Sequence, residues 1–76
     1  MPKLRDLPAK DLVKALERLG FVAVRQKGSH LILKRTAGGI AVGCVVPMHD
    51  HLKMGTIRGI LKQAEVTVDE LIEALD

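Results

Sequence analysis

The chain has 76 residues, about the size of one small domain that buries only about 60% of its unfolded surface, so it leaves little room for an elaborate active site. Its single cysteine, Cys44, excludes an internal disulfide framework and a cysteine-rich zinc site, and no stretch of about 18 apolar residues predicts a membrane-spanning helix. The first six residues lack the apolar segment of a secretion signal. We therefore expect one domain over residues 1–76 that works in the reducing cytoplasm, without contact to a membrane.

The net charge of +3 hides an uneven distribution. Residues 1–62 carry all 12 lysines and arginines against four acids, a net charge of +8, whereas residues 63–76 carry five acids and no lysine or arginine. A body this basic favours a polyanionic partner such as a nucleic acid. Because Phe21 is the only aromatic residue, single-stranded bases have no stacking platform, and we expect contacts to phosphates and ribose hydroxyls.

The first predicted element is a helix that begins at Pro8 and ends at Gly20, since proline suits a first helical turn and glycine a helix end. Its apolar stripe comprises Leu12, Val13, Leu16 and Leu19. Three cations lie four residues apart on the opposite side: Lys10, Lys14 and Arg18. We interpret this row as a solvated face, with phosphate contact as the less favoured alternative.

A β-hairpin follows, with strands over residues 21–27 and 30–35 and Gly28-Ser29 as a two-residue type II′ turn. Lys27 then lies opposite His30, and regular pairing continues to Ala23 opposite Lys34. Alternation along the strands predicts a core face of Val22, Val24, Leu31 and Leu33. The opposite face holds Arg25, Lys27, His30 and Lys34.

His30 is the candidate catalytic residue of this face. A lone histidine at the start of a strand is more often structural than catalytic. Nearby cations, however, favour the neutral form of an imidazole, which can accept a proton near pH 7, and they would hold a phosphate beside it. The RNA- and phosphate-binding candidates are Arg25, Lys27, Ser29 and Lys34.

A third strand is predicted over residues 40–46, after a flexible turn at residues 36–39, and Pro47 stops it. Its bulkier side chains are assigned to the core: Ile40, Val42, Cys44 and Val46. The loop that follows holds His49 and His51, which are too few ligands for a metal, so we expect neither metal nor cofactor. His49 is a candidate second catalytic residue or a residue that fixes the loop.

Two more helices complete the predicted order. The first starts near Thr56, a favourable N-cap, and the second starts with the capping-box sequence from Thr67 to Glu70. The apolar positions of the first are Ile57, Ile60, Leu61 and Ala64, with Lys53, Arg58 and Lys62 on its other side. Those of the second are Val68, Leu71, Ile72 and Leu75. The expected fold is α+β, with two layers, the order α-β-β-β-α(α) and a three-stranded antiparallel sheet.

Several stretches occur together, and in the same order, in a known family: Leu19-Gly20-Phe21, Lys27-Gly28-Ser29-His30, Val46-Pro47 followed by His49, Gly55-Thr56-Ile57-Arg58, and Ile60-Leu61-Lys62-Gln63-Ala64. With this combination the chain resembles the HicA (YcfA-like) mRNA interferase toxins over most of its length. The resemblance implies a fold similar to double-stranded RNA-binding domains, ribonuclease activity centred on His30, and inhibition by a HicB-type antitoxin. The chain departs from the family at Glu65, where the family tends to have the glycine that ends the helix, and in lacking Tyr or Phe after His30.

The residues suit the chemistry that the resemblance implies. RNA cleavage without a metal needs a base for the ribose 2′-OH, which His30 could supply, and cations for the phosphate. The departing 5′-oxygen needs a proton, for which His49, a lysine and water remain alternatives. RNA rather than DNA is expected, because only RNA carries the attacking hydroxyl. The alternatives are a non-catalytic RNA-binding module and an inactive protein whose basic body binds an acidic partner.

Overall fold

The architecture comes from a computed structural model, in which residues 3–76 are described. The elements in chain order are α1 (Ala9–Arg18), β1 (Val22–Lys27), β2 (His30–Ala37), β3 (Ile40–Pro47), α2 (Met54–Ala64) and α3 (Val68–Ala74). The strands form one antiparallel sheet in the order β1-β2-β3. The predicted two-layer α+β fold is confirmed, while its likeness to double-stranded RNA-binding domains stays a prediction. Residues 1 and 2 of the predicted domain lie outside the described residues.

The core lies between the sheet and the helices. Its largest fully buried side chains come from every element except β1: Leu12, Leu16, Leu33, Val46, Ile57 and Leu71. Among the helices of residues 3–76, none is both long and apolar enough to cross a lipid bilayer.

Helix α1 lies within the predicted limits: Pro8 is its extended N-cap instead of its first helical residue, and Gly20 lies just beyond its last turn at φ +100°. The predicted solvated row is confirmed, since Lys10, Lys14 and Arg18 are all exposed, but Arg18 also makes contacts that the sequence did not predict. Its guanidinium donates hydrogen bonds to the carbonyl oxygens of Ala74 at 2.7 Å and of Asp76 at 3.2 Å. Because the carbonyls at a helix C-terminus lack partners and carry partial negative charge, Arg18 joins α1 to the end of α3.

The hairpin follows the predicted register for three pairs and then departs from it. Lys27 pairs with His30, and Arg25 with Ile32, but Ala23 pairs with Leu33, so Val24 is an extra residue in a β-bulge. The expected core positions of Val22 and Val24 are therefore wrong, and these side chains are 62% and 53% exposed. The bulge shifts the side-chain alternation, and α2 packs on β3 instead of β1.

In β3 the predicted core face is confirmed at Cys44 and Val46, and Val42 is half-buried. Ile40 was expected in the core and is 68% exposed. Ile40 follows the glycine turn between β2 and β3, where every residue from 36 to 41 is exposed, so the helical layer does not reach it.

Helix α2 begins two residues before the predicted N-cap at Thr56, which is therefore wrong. The Oδ1 atom of Asp6 accepts a hydrogen bond of 3.0 Å from the backbone N–H of Met54. Beside this contact, Leu7 and Leu52 form an isolated bridge, with hydrogen bonds of 3.0 and 2.7 Å. The segment before α1 thus supplies the carboxylate that satisfies the start of α2.

The turn between α2 and α3 requires a left-handed residue. Glu65 ends α2 at φ 55°, in the place where glycine is favoured, and this costs about 1 kcal/mol relative to glycine. The predicted capping box of α3 is confirmed: Thr67 Oγ1 accepts from the N–H of Glu70 at 3.1 Å, and Glu70 Oε1 accepts from the N–H of Thr67 at 2.9 Å. The hydrogen bond from the backbone N–H of Thr67, helped by the Thr67 hydroxyl, lowers the pKa of the Glu70 carboxyl.

Candidate functional site

His30 is the first residue of β2 and therefore lies at one end of the central strand of the sheet. It pairs with Lys27 on β1 and with Pro47 on β3, and it is exposed. Directly opposite residues of neighbouring antiparallel strands lie on the same face, with Cβ atoms about 5 Å apart. The register therefore places the imidazole next to one lysine and one proline, on a surface open to solvent.

The face that holds His30 is the one away from the core. Residues alternate along β2, so Leu31 and Leu33 lie on the covered face, where Leu33 is fully buried. Lys34 lies on the same face as His30, four residues further along β2, and Arg25 joins them through its pairing with Ile32. The register thus brings Arg25, Lys27 and Lys34 together with His30 on one exposed surface, which we call the open face.

The cations of the open face have no acidic partner within residues 3–76. The close contact between a basic and an acidic side chain found in that part of the chain joins His51 to Asp6. Arg25, Lys27 and Lys34 are exposed. Their side chains are therefore available to an anion from solution.

Between these cations the open face is apolar. Val45 pairs with Ile32, and Gly43 pairs with Lys34, while Pro47 pairs with His30. Val45 is 37% exposed, Ile32 and Pro47 are half-buried, and Gly43 has no side chain to rise above the sheet. A phosphate can therefore reach the strands between the cations without meeting an acidic group.

The turn before His30 has the geometry that its sequence predicts. Gly28 takes φ +60° and Ser29 does not have a positive φ, as a type II′ turn requires. The carbonyl oxygen of Ser29 accepts a hydrogen bond of 2.6 Å from the N–H of Met48, the first residue after β3. Ser29 is exposed, and its main chain holds the turn against the end of the third strand.

His49 follows two residues after Pro47, the partner of His30. Strand spacing and the length of the chain put the Cα atoms of His49 and His30 within roughly 13 Å of each other. The carbonyl oxygen of His49 accepts a hydrogen bond from the N–H of Ala9 at 3.0 Å, and the N–H of His49 donates to the carbonyl of Pro47 at 2.9 Å. The main chain of His49 therefore fixes the loop to the start of α1, while its side chain is exposed.

The third imidazole is directed elsewhere. His51 Nε2 lies 2.9 Å from Asp6 Oδ2, the carboxylate whose other oxygen accepts from the start of α2. Within residues 3–76, no group of three or more His, Cys, Asp or Glu side chains is gathered to hold a metal ion. His49 and His51 are close in sequence but make different contacts: the main chain of His49 binds the start of α1, whereas the side chain of His51 binds Asp6.

Three further side chains lie away from the open face, and sequence reasoning missed the contacts of two of them. Arg35 donates from its guanidinium to the Leu19 carbonyl at 3.1 Å and lies 4.8 Å above the Phe21 ring, so it belongs to the covered face. Strict alternation from Leu33 could have predicted this. The contacts of Asp6 could not be predicted from the residues around it, because its partners His51 and Met54 are distant in sequence. In Cys44, burial raises the pKa of the thiol to about 11, so it is an inert core residue.

Comparison with known proteins identifies the family. A search of the curated proteins found no match. The family model of the HicA toxin of bacterial toxin–antitoxin systems matches residues 9–66, which run from the first residue of α1 past the end of α2 and include the whole sheet. This match covers well over half of the 76 residues. The chain therefore belongs to the HicA toxin family of bacterial toxin–antitoxin systems.

Proposed function

We propose that the chain, as one domain over residues 1–76, is an endoribonuclease toxin that cleaves mRNA in the cytoplasm. Its growth-arresting activity would serve a stress response and would be held in check by a HicB-type antitoxin. Membership of a toxin–antitoxin family implies such a partner. The observation that carries the proposal is the open face, where His30 lies beside Lys27 and shares an exposed surface with two further cations.

The reaction needs no metal. His30, in its neutral form, accepts the proton of a ribose 2′-OH, and the oxygen attacks the adjacent phosphorus. The bond from phosphorus to the 5′-oxygen of the next nucleotide breaks, leaving a 2′,3′-cyclic phosphate and a 5′-hydroxyl. DNA has no 2′-OH and is therefore not cleaved.

The cations of the open face stabilise the charge that builds on the phosphate. Lys27 is the nearest to His30 by register, and Arg25 and Lys34 lie on the same surface further along the strands. Ser29 adds a hydroxyl at the turn. Charge-assisted donors of this kind act most strongly where negative charge develops in the transition state.

The departing 5′-oxygen must receive a proton. His49 is the candidate acid, because its exposed side chain follows the end of β3 near His30. A lysine of the open face and a water molecule are the alternatives.

The test compares the wild-type chain with His30→Gln on an RNA oligonucleotide in the presence of EDTA. Loss of a general base is expected to slow cleavage about 10²- to 10⁴-fold, while RNA affinity changes little. His51→Gln is the matched control, since it removes an exposed imidazole that is paired with Asp6 and lies outside the open face. Equal cleavage by His30→Gln and wild type would overturn the assignment of His30.

Two further readouts separate the alternatives. RNA retention without cleavage by the wild-type chain would indicate a non-catalytic RNA-binding module, and absence of RNA binding would indicate a protein that only binds partners. A substrate with sulfur in place of the 5′-oxygen has a leaving group that needs no proton. If His49 is the acid, this substrate restores the rate of His49→Gln but not that of His30→Gln.

A further inference from the structure

Strand β1 is the least protected element of the described chain. All six of its residues are exposed, including two valines at 62% and 53%. Its main chain takes part in no hydrogen bond outside the sheet within residues 3–76. As an edge strand it therefore leaves alternate N–H and C=O groups free on its outer side.

The opposite edge of the sheet is not free in the same way. The N–H of Val45 on β3 donates to Gln63 Oε1 of α2 at 3.3 Å, and α2 packs on this strand. A strand approaching β3 would have to displace that side chain. A strand approaching β1 meets solvent and the exposed side chains of β1 itself.

We propose that the outer edge of β1 is a docking site for an acidic, extended segment of a partner protein, which adds to the sheet as a fourth strand. Main-chain hydrogen bonds would give the contact its affinity, and side chains at alternate positions would give it selectivity. Arg25 and Lys27 select carboxylates on the open face, while the two valines select apolar side chains.

A second copy of the chain does not fit this edge. Pairing β1 with another β1 would bring Arg25 and Lys27 against a strand of the same charge, which contains no acid. The chain's own excess of acids lies in residues 63–76, where Asp69, Glu70 and Glu73 belong to a helix and cannot add as a strand. The complementary strand must therefore come from a different protein.

The bulge at Val24 sets the length of the contact. A β-bulge interrupts regular pairing, so a regular ladder is available only on either side of Val24. On the side nearer the turn it comprises Arg25–Lys27, next to His30. A short segment therefore fits better than a long uninterrupted strand.

Docking at this edge would also regulate the open face, an inference that rests on the proposed function. The added strand would lie about 4.8 Å from β1, so its carboxylates would reach Arg25 and Lys27. Those two cations would then no longer be available to the RNA phosphate. Strand addition would inhibit cleavage without any change in the fold.

The experiment uses the ¹⁵N-labelled full chain and a panel of short peptides of about five residues in which glutamate alternates with valine or isoleucine. Binding is expected to slow amide exchange within Val22–Lys27. A copy of the best peptide that is N-methylated at alternate residues keeps its charge but cannot donate the ladder hydrogen bonds, and we expect it to bind at least about tenfold more weakly.

Two variants of the chain are compared: a double variant, Val22→Thr with Val24→Thr, and a single variant, Ile40→Thr. The double variant is expected to bind the peptide about threefold to tenfold more weakly. Ile40 is similarly exposed but lies on β3, so Ile40→Thr should leave peptide binding unchanged. Failure of every peptide to bind at about 1 mM, equal binding of the N-methylated peptide, or exchange protection on β3 would overturn the proposal. Because binding is read without RNA, a peptide that docks on β1 but leaves cleavage unaffected would support the docking site and count against the proposed role of Arg25 and Lys27.

Discussion

Strands β1 and β3 occupy equivalent places at the two edges of one sheet and yet have opposite surroundings. In β3, Cys44 and Val46 are buried under the helices, and Gln63 accepts from the outer N–H of Val45. In β1 every residue is exposed, and the bulge at Val24 turns its apolar side chains away from the core. Position in the sheet therefore does not decide which strand is structural, because that depends on which strand the helices cover.

The two edge strands therefore contribute differently to a small chain. Strand β3 contributes to folding through burial, whereas β1 contributes cations and free main-chain groups that other molecules can contact. A domain of this size has little surface to spare, so leaving a whole strand uncovered gives up burial that would otherwise stabilise it. The predictions that follow test this division, from the largest expected effect to the smallest.

Thiol labelling should show the largest difference between the two strands. A pKa raised from 9.0 to about 11 lowers the thiolate fraction of Cys44 about a hundredfold at pH 8, and burial blocks access as well. In the variant Ala23→Cys, iodoacetamide should therefore modify the β1 cysteine at least about a hundredfold faster than Cys44, as followed by mass spectrometry. In urea the two rates should converge. Similar rates in the folded chain would break the comparison.

The same thiol gives a pH dependence. Its pKa is higher in the folded chain than in the unfolded one, so its contribution to stability is complete below about pH 9 and is lost as the pH rises toward about 11. Cys44→Ala should remove this part of the alkaline loss of stability.

Truncation of valine should have unequal effects on the free energy of unfolding. Val46→Ala removes buried methyl groups from β3 and is expected to cost roughly 2–3 kcal/mol. Val24→Ala, on the exposed bulge of β1, should change stability by no more than about 0.5 kcal/mol. Urea denaturation measures both values. A large cost at Val24 would show that β1 is packed in solution.

RNA affinity should depend on β1 and much less on α1. Replacing Arg25 and Lys27 together by glutamine is expected to weaken RNA binding about tenfold and to reduce the log–log salt slope by about 1.4, as loss of two phosphate contacts requires. The control replaces Lys10 and Lys14 on α1, an equal loss of charge, and should weaken binding less than about twofold. Equal effects of the two pairs would mean that net charge, not the open face, attracts the RNA.

The smallest effect should come from opening the edge of β3. Gln63→Ala removes the acceptor of the Val45 N–H and is expected to cost about 1 kcal/mol and to speed exchange of that amide. Lys62→Ala, on an exposed neighbour in the same helix, is the control and should be close to neutral. An unchanged exchange rate at Val45 would indicate that Gln63 does not close this edge.

The parts of the fold that sequence alone predicted are those with local causes. The turn at Gly28, the pairing of Lys27 with His30 and the capping box at Thr67 all depend on residues a few positions apart. The order of elements followed from the same signals, and the family resemblance agreed with them.

What the sequence did not predict depends on contacts between distant residues. Nothing near Val24 marks it as a bulge, since its pattern continues the alternation of β1. The early start of α2 depends on Asp6, and the hydrogen bonds of Arg18 depend on the end of α3. At the site, the shared face of His30 and Lys27 followed from the turn, but the lack of helical cover over β1 required the tertiary structure.

The hydrogen bonds of α1 have a consequence for the order in which the fold forms. The N–H of Ala9 donates to the carbonyl of His49, and the Arg18 guanidinium donates to the carbonyl of Ala74, 56 residues further along the chain. Because contacts between residues so distant in sequence require large loops to close, α1 is expected to dock late, after the local hairpins have formed.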